Sequence, residues 1–400
     1  MSASAFLISL FVVSFTLIIS PFISKFWFNV FLSDFKGNTF SAVTTPDRFL
    51  KYSFGGMDVF LDFYNLKVGM VNSISQLVML LGVFGRLNAI QIVLNTIIYN
   101  ITWNLCHFLC ANLQLQGPDS RIFDDYQISN VYLFASCYSL ILLLILKSPR
   151  ISMKADIQSS VVALLGTFFV FLSFCATSTL FPLKFTPGQA EYARSYIWQE
   201  GFLNIFFALV GSVIFSCVGS IVLGGFTEGS KALEGKIGLR ECVFGTITGG
   251  IIYGPVAGTA VNIGAAIASG LFSGLLSSII YRFVVNKINS SELRDSYGVT
   301  NTLSVSFMAT FCISPSILIA YFNRDWILPT LEVSNFDKVG LPLINASIAG
   351  WVIAYVGISM GIGLVSGAAA GGILFFFKSV SRGHDQDFFN MQYGLTSSNV

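Results

Sequence analysis

The chain has 400 residues, of which 54% are hydrophobic and only 10% are charged, and its formal net charge is +2. Soluble domains carry about a quarter charged residues, so this composition excludes an ordinary water-soluble protein. The near-neutral charge offers no basic surface for nucleic acid. The composition therefore predicts an integral membrane protein whose first partner is the lipid bilayer.

Ten apolar segments reach, or nearly reach, the length needed to cross a membrane. A bilayer core of about 30 Å takes about 20 helical residues. In chain order the segments are Phe6–Leu32, Val71–Val83, Ala89–Ala111, Ile128–Leu146, Val161–Phe181, Phe202–Gly224, Val243–Val261, Ile263–Val284, Leu303–Tyr321 and Leu343–Phe377. The second is short for a span, and the last is long enough to tilt or kink. The pattern predicts an all-α, polytopic bundle of about ten transmembrane helices.

The remaining stretches divide the chain into four parts. Residues 1–33 are expected to form an N-terminal transmembrane helix that stays uncleaved, because its apolar run exceeds that of a signal peptide. Residues 34–68 mix acidic, basic and aromatic side chains, which predicts an extramembrane or interfacial segment. The main bundle is predicted at 69–377, and a polar tail follows at 378–400.

Lysines and arginines concentrate in every second loop, as the positive-inside rule expects. With the N-terminus inside, the inside loops contain Arg86, Lys147, Arg150, Lys154, Lys231, Lys236, Arg240, Arg282, Lys287, Arg294, Lys378 and Arg382. This alternation supports the helix count between Arg86 and Lys378.

Small residues and cysteines both indicate a packed helical interior. Glycines four apart recur in the second half, as in Gly245/Gly249 and Gly363/Gly367, and residues four apart share one helix face. The spacing predicts tight helix packing in preference to a role in substrate passage. All seven cysteines lie in or beside apolar segments without a CxxC pair, which predicts reduced core cysteines.

Several motifs occur in an order that resembles the ammonium transporter/Rhesus glycoprotein family. Gly245–Gly254 is a glycine-rich helix, and Asp295–Asn301 reads Asp-Ser-Tyr-Gly-Val-Thr-Asn. The family has an Ala-Gly-Gly helix followed by a loop with Asp-x-x-Gly-Val-His-Asn. Three further stretches, Val83–Arg86, Gly166–Phe169 and Leu364–Gly372, match family segments in the same order. The resemblance covers roughly residues 71 to 377.

The resemblance implies a fold of two inverted five-helix halves, with a site between them. It also implies two hydrogen-bonded pore histidines, yet their positions fall on Ser129 and Thr300 in this chain. The family's aromatic gate corresponds to Phe168, Phe169 or Phe171, and the partner position on the earlier helix is Val71. Because one span alone precedes the segment that matches the family's third helix, the first half is expected to be shortened.

The chain contains two histidines, His107 in an apolar helix and His384 in the tail. An ionisable group inside a membrane is a functional candidate, although a neutral imidazole costs far less to bury than a charge. Asn104 and Cys110 offer partners on the same helix, so His107 is interpreted either as a buried polar site with Asn104 or as a core or interface histidine. The hydroxyls of Ser129 and Thr300 cannot hold a proton near neutral pH as imidazole does. A remaining channel would therefore conduct neutral molecules.

The sequence is compatible with two main functions and a weaker third. The leading hypothesis is a non-conducting pseudo-transporter that acts as a structural or accessory subunit, since the pore histidines are missing and the packing glycines are retained. The alternative is a working channel for ammonia or another small neutral molecule, and a receptor or sensor on a transporter scaffold is a weaker third. No catalytic, nucleotide-binding or metal-binding motif occurs in the sequence, so neither an enzyme nor a cofactor or metal is expected.

The expected partners are lipid and either other membrane subunits or two further copies of the chain in a homotrimer, which is the family's assembly. A plasma-membrane location follows from the family analogy. The inner mitochondrial membrane would suit a subunit of a larger complex.

Overall fold

The computed structural model describes residues 3–32, 50–54, 57–61, 63–83, 87, 89–115, 128–146, 157–180, 190–224, 237–254, 263–285, 303 and 346–377. These residues form nine helices, α1 (Ala3–Leu32), α2 (Phe63–Val83), α3 (Ala89–Leu115), α4 (Phe134–Leu146), α5 (Ile157–Leu180), α6 (Ala190–Gly224), α7 (Leu239–Tyr253), α8 (Ile263–Ile279) and α9 (Ala346–Phe376). A π-helical segment, Ser129–Leu133, leads into α4, and a second one, Ile280–Val285, continues α8.

The predicted all-α bundle is confirmed, and nine of the ten predicted segments coincide with helices. The other segment, Leu303–Tyr321, lies outside the described residues except for Leu303. Within the described ranges, four helical stretches are long and apolar enough to cross a membrane, namely Ile90–Cys110, Gly201–Leu223, Ile263–Val284 and Ala354–Phe376. Five shorter apolar helices accompany them. The domain boundaries given above stay predictions.

A small β-hairpin and an earlier start of α2 differ from the expectations for the first half. Strands β1 (Leu50–Phe54) and β2 (Met57–Leu61) pair antiparallel within the segment predicted to be extramembrane, with Leu50 opposite Leu61. Helix α2 begins at Phe63 and is 21 residues long, so it is longer than the apolar run from Val71 indicated. A helix can continue past the hydrocarbon core because its backbone bonds are internal and its polar side chains reach water.

Helix α9 packs against the first half of the bundle, on α4 and α3. Gly363 of α9 approaches the backbone oxygen of Phe134, and Gly367 approaches that of Tyr138. Since the contacts advance along both helices together, α9 and α4 run parallel. Any side chain at Gly367 would collide with the backbone of α4, so this glycine allows the contact.

Helices α6, α7 and α8 pack against one another, and α6 contacts both of the others closely. Gly270 of α8 is pressed against the backbone of Ala208, and a Cβ at Gly249 of α7 would lie 2.6 Å from the Cβ of Ser212. These contacts confirm the predicted role in tight helix packing at Gly249 and Gly270, whereas Gly357 and Gly361 of α9 have open space where a Cβ would lie. Helix α5 covers α6 and α7 from one side.

Candidate functional site

The sequence-predicted pore positions are distributed unevenly over the structure. Ser129 opens the π-helical segment before α4, and Thr300 lies outside the described residues. Phe168 and Phe169 lie on the outward face of α5, where 57% and 61% of their surfaces are exposed. Val71 is buried on α2. The assignment of these residues to a degenerate pore stays a prediction.

Asn130, the neighbour of Ser129, binds side chains from α3 and α9. Its Oδ1 accepts a hydrogen bond from the Ser359 hydroxyl at 3.2 Å and a weaker one from the Cys106 thiol at 3.6 Å. Its backbone oxygen accepts a hydrogen bond from Trp103 Nε1 at 2.9 Å. A π-helical turn frees carbonyl groups from the regular helical ladder, and here a side chain uses one of them. We call Asn130, Ser359, Cys106 and Trp103 the Asn130 cluster.

The same π-helical segment is bound from α2. Ser75 Oγ donates to the backbone oxygen of Val131 at 2.9 Å and also shares a hydrogen bond with the Tyr99 hydroxyl. These contacts attach the backbone at Val131 to α2 and α3. Asn130 and Val131 are therefore part of a packed polar interior.

His107 lies in this interior and stacks on Trp103 of the Asn130 cluster. The ring centroids are 5.2 Å apart and the ring planes differ by 10°. His107 is 4% exposed and is the one histidine among the described residues. Asn104, its predicted companion, donates to Ser20 of α1 at 3.2 Å and to the backbone oxygen of Asn100 at 2.8 Å. His107 is therefore a buried aromatic partner of Trp103.

An aromatic junction joins α4, α5 and α7. Tyr132, in the π-helical segment, stacks on Phe174 of α5 with ring centroids 6.1 Å apart and planes 15° apart. A Cβ at Gly250 of α7 would lie 2.6 Å from the Phe174 ring, so this glycine makes room for the ring. Both aromatic side chains are buried. We call Tyr132, Phe174 and Gly250 the aromatic junction.

The aromatic junction was not predicted from the sequence, because the gate was assigned to Phe168, Phe169 or Phe171. The available signal was Gly250, since a glycine in an apolar helix often indicates a close neighbour. The sequence did not say which helix supplies that neighbour.

Helix α1 is attached to α2 and α3 by buried amides and hydroxyls. Asn72 Nδ2 donates to Ser20 Oγ at 3.1 Å and to Asn100 Oδ1 at 2.8 Å, and Thr16 donates to Gln76 Oε1 at 2.7 Å. Each of these five side chains is fully buried. Polar groups of this kind hold transmembrane helices together because hydrocarbon offers them no other partner. Helix α1 is thus fixed firmly to α2 and α3.

A buried ion pair holds the end of α8 to the start of α7. Arg282 Nε lies 2.8 Å from Glu241 Oε1, and Arg282 Nη2 also donates to the backbone oxygen of Ser220 on α6 at 2.7 Å. Arg282 was expected in an inside loop, but it is buried within the π-helical continuation of α8. The available signal was Glu241, an acidic residue in the first turn of an apolar helix.

The described residues contain no group of three or more histidine, cysteine or acidic side chains able to hold a metal ion. A shallow depression of about 200 Å³ opens between α5, α6 and α7. Its lining is mainly apolar and consists of Leu164, Thr167, Phe168, Phe171, Val213, Cys242, Val243 and Thr246. This surface suits lipid or another apolar molecule, not a water-soluble substrate.

The helical bundle and its buried polar interior define a membrane protein with a transporter-like fold. No protein-family profile matches the sequence, and no curated protein matches it. Among solved structures, Nitrosomonas europaea Rh50, a member of the Rhesus family of channels, is similar with a TM-score of 0.64 and 15% identity over 96% of this chain and 87% of that one. Candida albicans Mep2 is similar with a TM-score of 0.52 and 14% identity over 79% of this chain and 64% of that one.

A sensor Amt protein is also similar, with a TM-score of 0.50 and 14% identity over 94% of both chains. At these identities the likeness is one of fold. The chain therefore has the ammonium transporter/Rhesus fold, and the resemblance predicted from its motifs is confirmed at that level.

Proposed function

We propose that the protein is a non-conducting chain with the ammonium transporter/Rhesus fold that acts as a structural or accessory subunit of a membrane assembly. The aromatic junction is the observation that carries this proposal. The Tyr132 ring of the π-helical segment stacks on the Phe174 ring of α5 with nearly parallel planes, and Phe174 fills the space above Gly250 of α7. A conduit through the bundle needs open space, and the buried Tyr132 and Phe174 rings leave none where they pack together.

The chemistry of the Asn130 cluster supports the same proposal. A proton relay needs groups that gain and lose a proton near neutral pH, and imidazole is the side chain suited to this. The resemblance assigns the first relay position to Ser129, and the neighbouring Asn130 is hydrogen-bonded by Ser359, Cys106 and Trp103. Amides, hydroxyls and indoles at such positions stabilise helix packing without titrating in that range.

The retained packing supports a structural role. Buried polar bonds fix α1 to the bundle, close glycine contacts join α6 to α7 and α8, and a buried ion pair closes one end of these three helices. A rigid bundle of this kind can present a constant apolar surface to neighbouring membrane subunits. Association with such subunits is the proposed assembly, and a homotrimer is the alternative.

A channel for ammonia or another small neutral molecule is the second candidate function. The observation that favours it is the likeness in fold to Rh50, whose structure is described together with conduction by the Rhesus family of channels. The two candidates differ in one measurable property, the permeability of the isolated chain.

The test is an ammonia and methylammonium flux assay in proteoliposomes. The wild-type chain is expected to give the same flux as protein-free liposomes. Phe174→Ala with Tyr132→Ala removes the junction rings, and Leu165→Ala on the exposed face of α5 is the matched control. Wild-type flux that Gly250→Phe abolishes would overturn the proposal of a non-conducting protein.

A second experiment tests the accessory role. The chain is solubilised from its own membrane in a mild detergent, and the mass and composition of the particle are measured. A particle that contains other membrane polypeptides in fixed ratio is expected. A particle made of this chain alone contradicts the accessory role, whatever the flux assay gives.

A further inference from the structure

Two cysteines from neighbouring helices lie in contact. The Sγ atoms of Cys217 on α6 and Cys242 on α7 are 3.3 Å apart, and one thiol donates a hydrogen bond to the other. Both cysteines are free thiols and both are partly exposed. The pair is separated by 25 positions in the chain, so a bond between the sulfurs would join two different helices.

The helix packing around the pair favours a disulfide. A disulfide needs Cα atoms about 4.4 to 6.8 Å apart and a sulfur separation of about 2.05 Å. Ser216, next to Cys217, is pressed against Gly245, which lies one turn after Cys242. The Ser216 side chain thus lies directly against the Gly245 backbone beside the thiols. From their separation of 3.3 Å, the sulfurs must move together by only about 1.2 Å to form the bond.

One of the two thiols is reached from the apolar side of the bundle. Cys242 lines the depression between α5, α6 and α7, together with Leu164, Phe168, Phe171 and Thr246. The two phenylalanines and the leucine make this entrance suitable for hydrophobic reagents. An oxidant dissolved in the membrane can therefore meet Cys242 without crossing the packed interior.

We propose that Cys217 and Cys242 form an oxidation site that takes a membrane-soluble electron acceptor and closes into an interhelical disulfide. Each thiol releases one proton, two electrons pass to the acceptor, and one S–S bond forms. With copper(II)–phenanthroline as the acceptor, two copper(II) ions are reduced to copper(I) for each disulfide. The inference is independent of whether the protein conducts.

The disulfide would join α6 to α7 covalently next to the buried ion pair. Cys242 follows Glu241, whose carboxylate binds Arg282 of the α8 continuation. The oxidised protein thus has a covalent bond between α6 and α7 beside an ionic bond between α7 and α8. Because a cross-link restricts the unfolded chain, the unfolding temperature is expected to rise by about 5 °C, and a reductant should reverse the rise.

The experiment uses the full chain in its membrane. The sample is oxidised with copper(II)–phenanthroline, remaining thiols are alkylated after unfolding, and peptides are identified by mass spectrometry. A cross-linked peptide containing Cys217 and Cys242 is expected, together with the higher unfolding temperature. Cys217→Ser and Cys242→Ala should each abolish both effects, and Cys175→Ser, which replaces a buried cysteine of α5, should leave both unchanged.

Three results would overturn the inference. The first is recovery of Cys217 and Cys242 as separately alkylated peptides after oxidation of a sample that keeps its native unfolding transition. The second is a cross-link from either residue to a different cysteine. The third is equally fast cross-linking by a water-soluble oxidant that does not partition into the membrane, because this would exclude the apolar route to Cys242.

Discussion

Arg282 and Glu241 form a two-point ion pair inside the helix bundle. Arg282 Nε donates to Glu241 Oε1 at 2.8 Å and Arg282 Nη2 donates to Oε2 at 3.2 Å, while the two side chains are only 4% and 7% exposed. Removal of both charges from water is costly, and the bidentate geometry offsets much of that cost. Replacement of only one of the two residues should therefore destabilise the protein, because the other charge then stays buried without its partner.

Glu241→Leu is expected to destabilise the protein by about 3 to 5 kcal/mol, because it leaves the Arg282 guanidinium buried without its carboxylate. The double variant Glu241→Leu with Arg282→Met should recover most of this loss, since an apolar pair replaces the ionic one. Denaturant unfolding in detergent micelles measures the free energy of unfolding of the single and the double variant. A double variant no more stable than the single variant would show that the ion pair is not the cause.

Gly270→Ala is expected to cost about 1 to 3 kcal/mol, because the added methyl group meets the backbone of Ala208, which cannot rotate away. Gly166→Ala on α5 is the matched control, since no neighbouring heavy atom lies within 4 Å of the place that a Cβ would take there. The control should be neutral or more stable by about 0.5 to 1 kcal/mol, as alanine is the better helix former. Thermal unfolding of the two variants separates close packing from helix propensity.

Asn72→Ala is expected to loosen α1, because Asn72 donates to Ser20 of α1 and to Asn100 of α3. At about 0.6 kcal/mol for each interhelical bond, the loss in unfolding free energy should be about 1 kcal/mol. Ile18→Ala on the exposed face of α1 is the control. Faster proteolysis of α1 in the Asn72 variant than in the control is the second measurement, and equal rates in both would contradict the role given to Asn72.

Asn130→Ala is expected to make Cys106 and Cys110 react faster with thiol reagents. The change removes the Oδ1 acceptor of Cys106 and Ser359, and Ser359 is also the hydrogen-bond partner of Cys110. Ser136→Ala on α4 is the control, since the buried Ser136 hydroxyl has no partner among the described residues and its removal should be neutral. Alkylation followed by mass spectrometry gives the rate at each cysteine. Unchanged rates in the Asn130 variant would exclude a positioning role for its side chain.

Helix placement was predictable, but the lining of the interior was not. Runs of about 20 apolar residues located nine helices, and glycines spaced by four indicated close packing that the contacts at Gly249 and Gly270 confirm. Phe174 was missed beside Phe168 and Phe169, although all three belong to α5. In a membrane helix the lipid-facing and protein-facing sides are both apolar, so hydrophobic periodicity cannot tell which phenylalanine points inward.

By itself, the sequence determined the class of this protein, its helical segments and its likeness to the ammonium transporter/Rhesus fold, because these depend on composition, segment length and motif order. Only the tertiary structure decided which polar groups meet. His107 stacks on Trp103, Arg282 binds Glu241, and Asn72 joins Ser20, and each of these pairs except the first links residues far apart in the chain. The physical reason is that a polar side chain in an apolar bundle must find a partner, while the packing of the helices decides which partner is within reach.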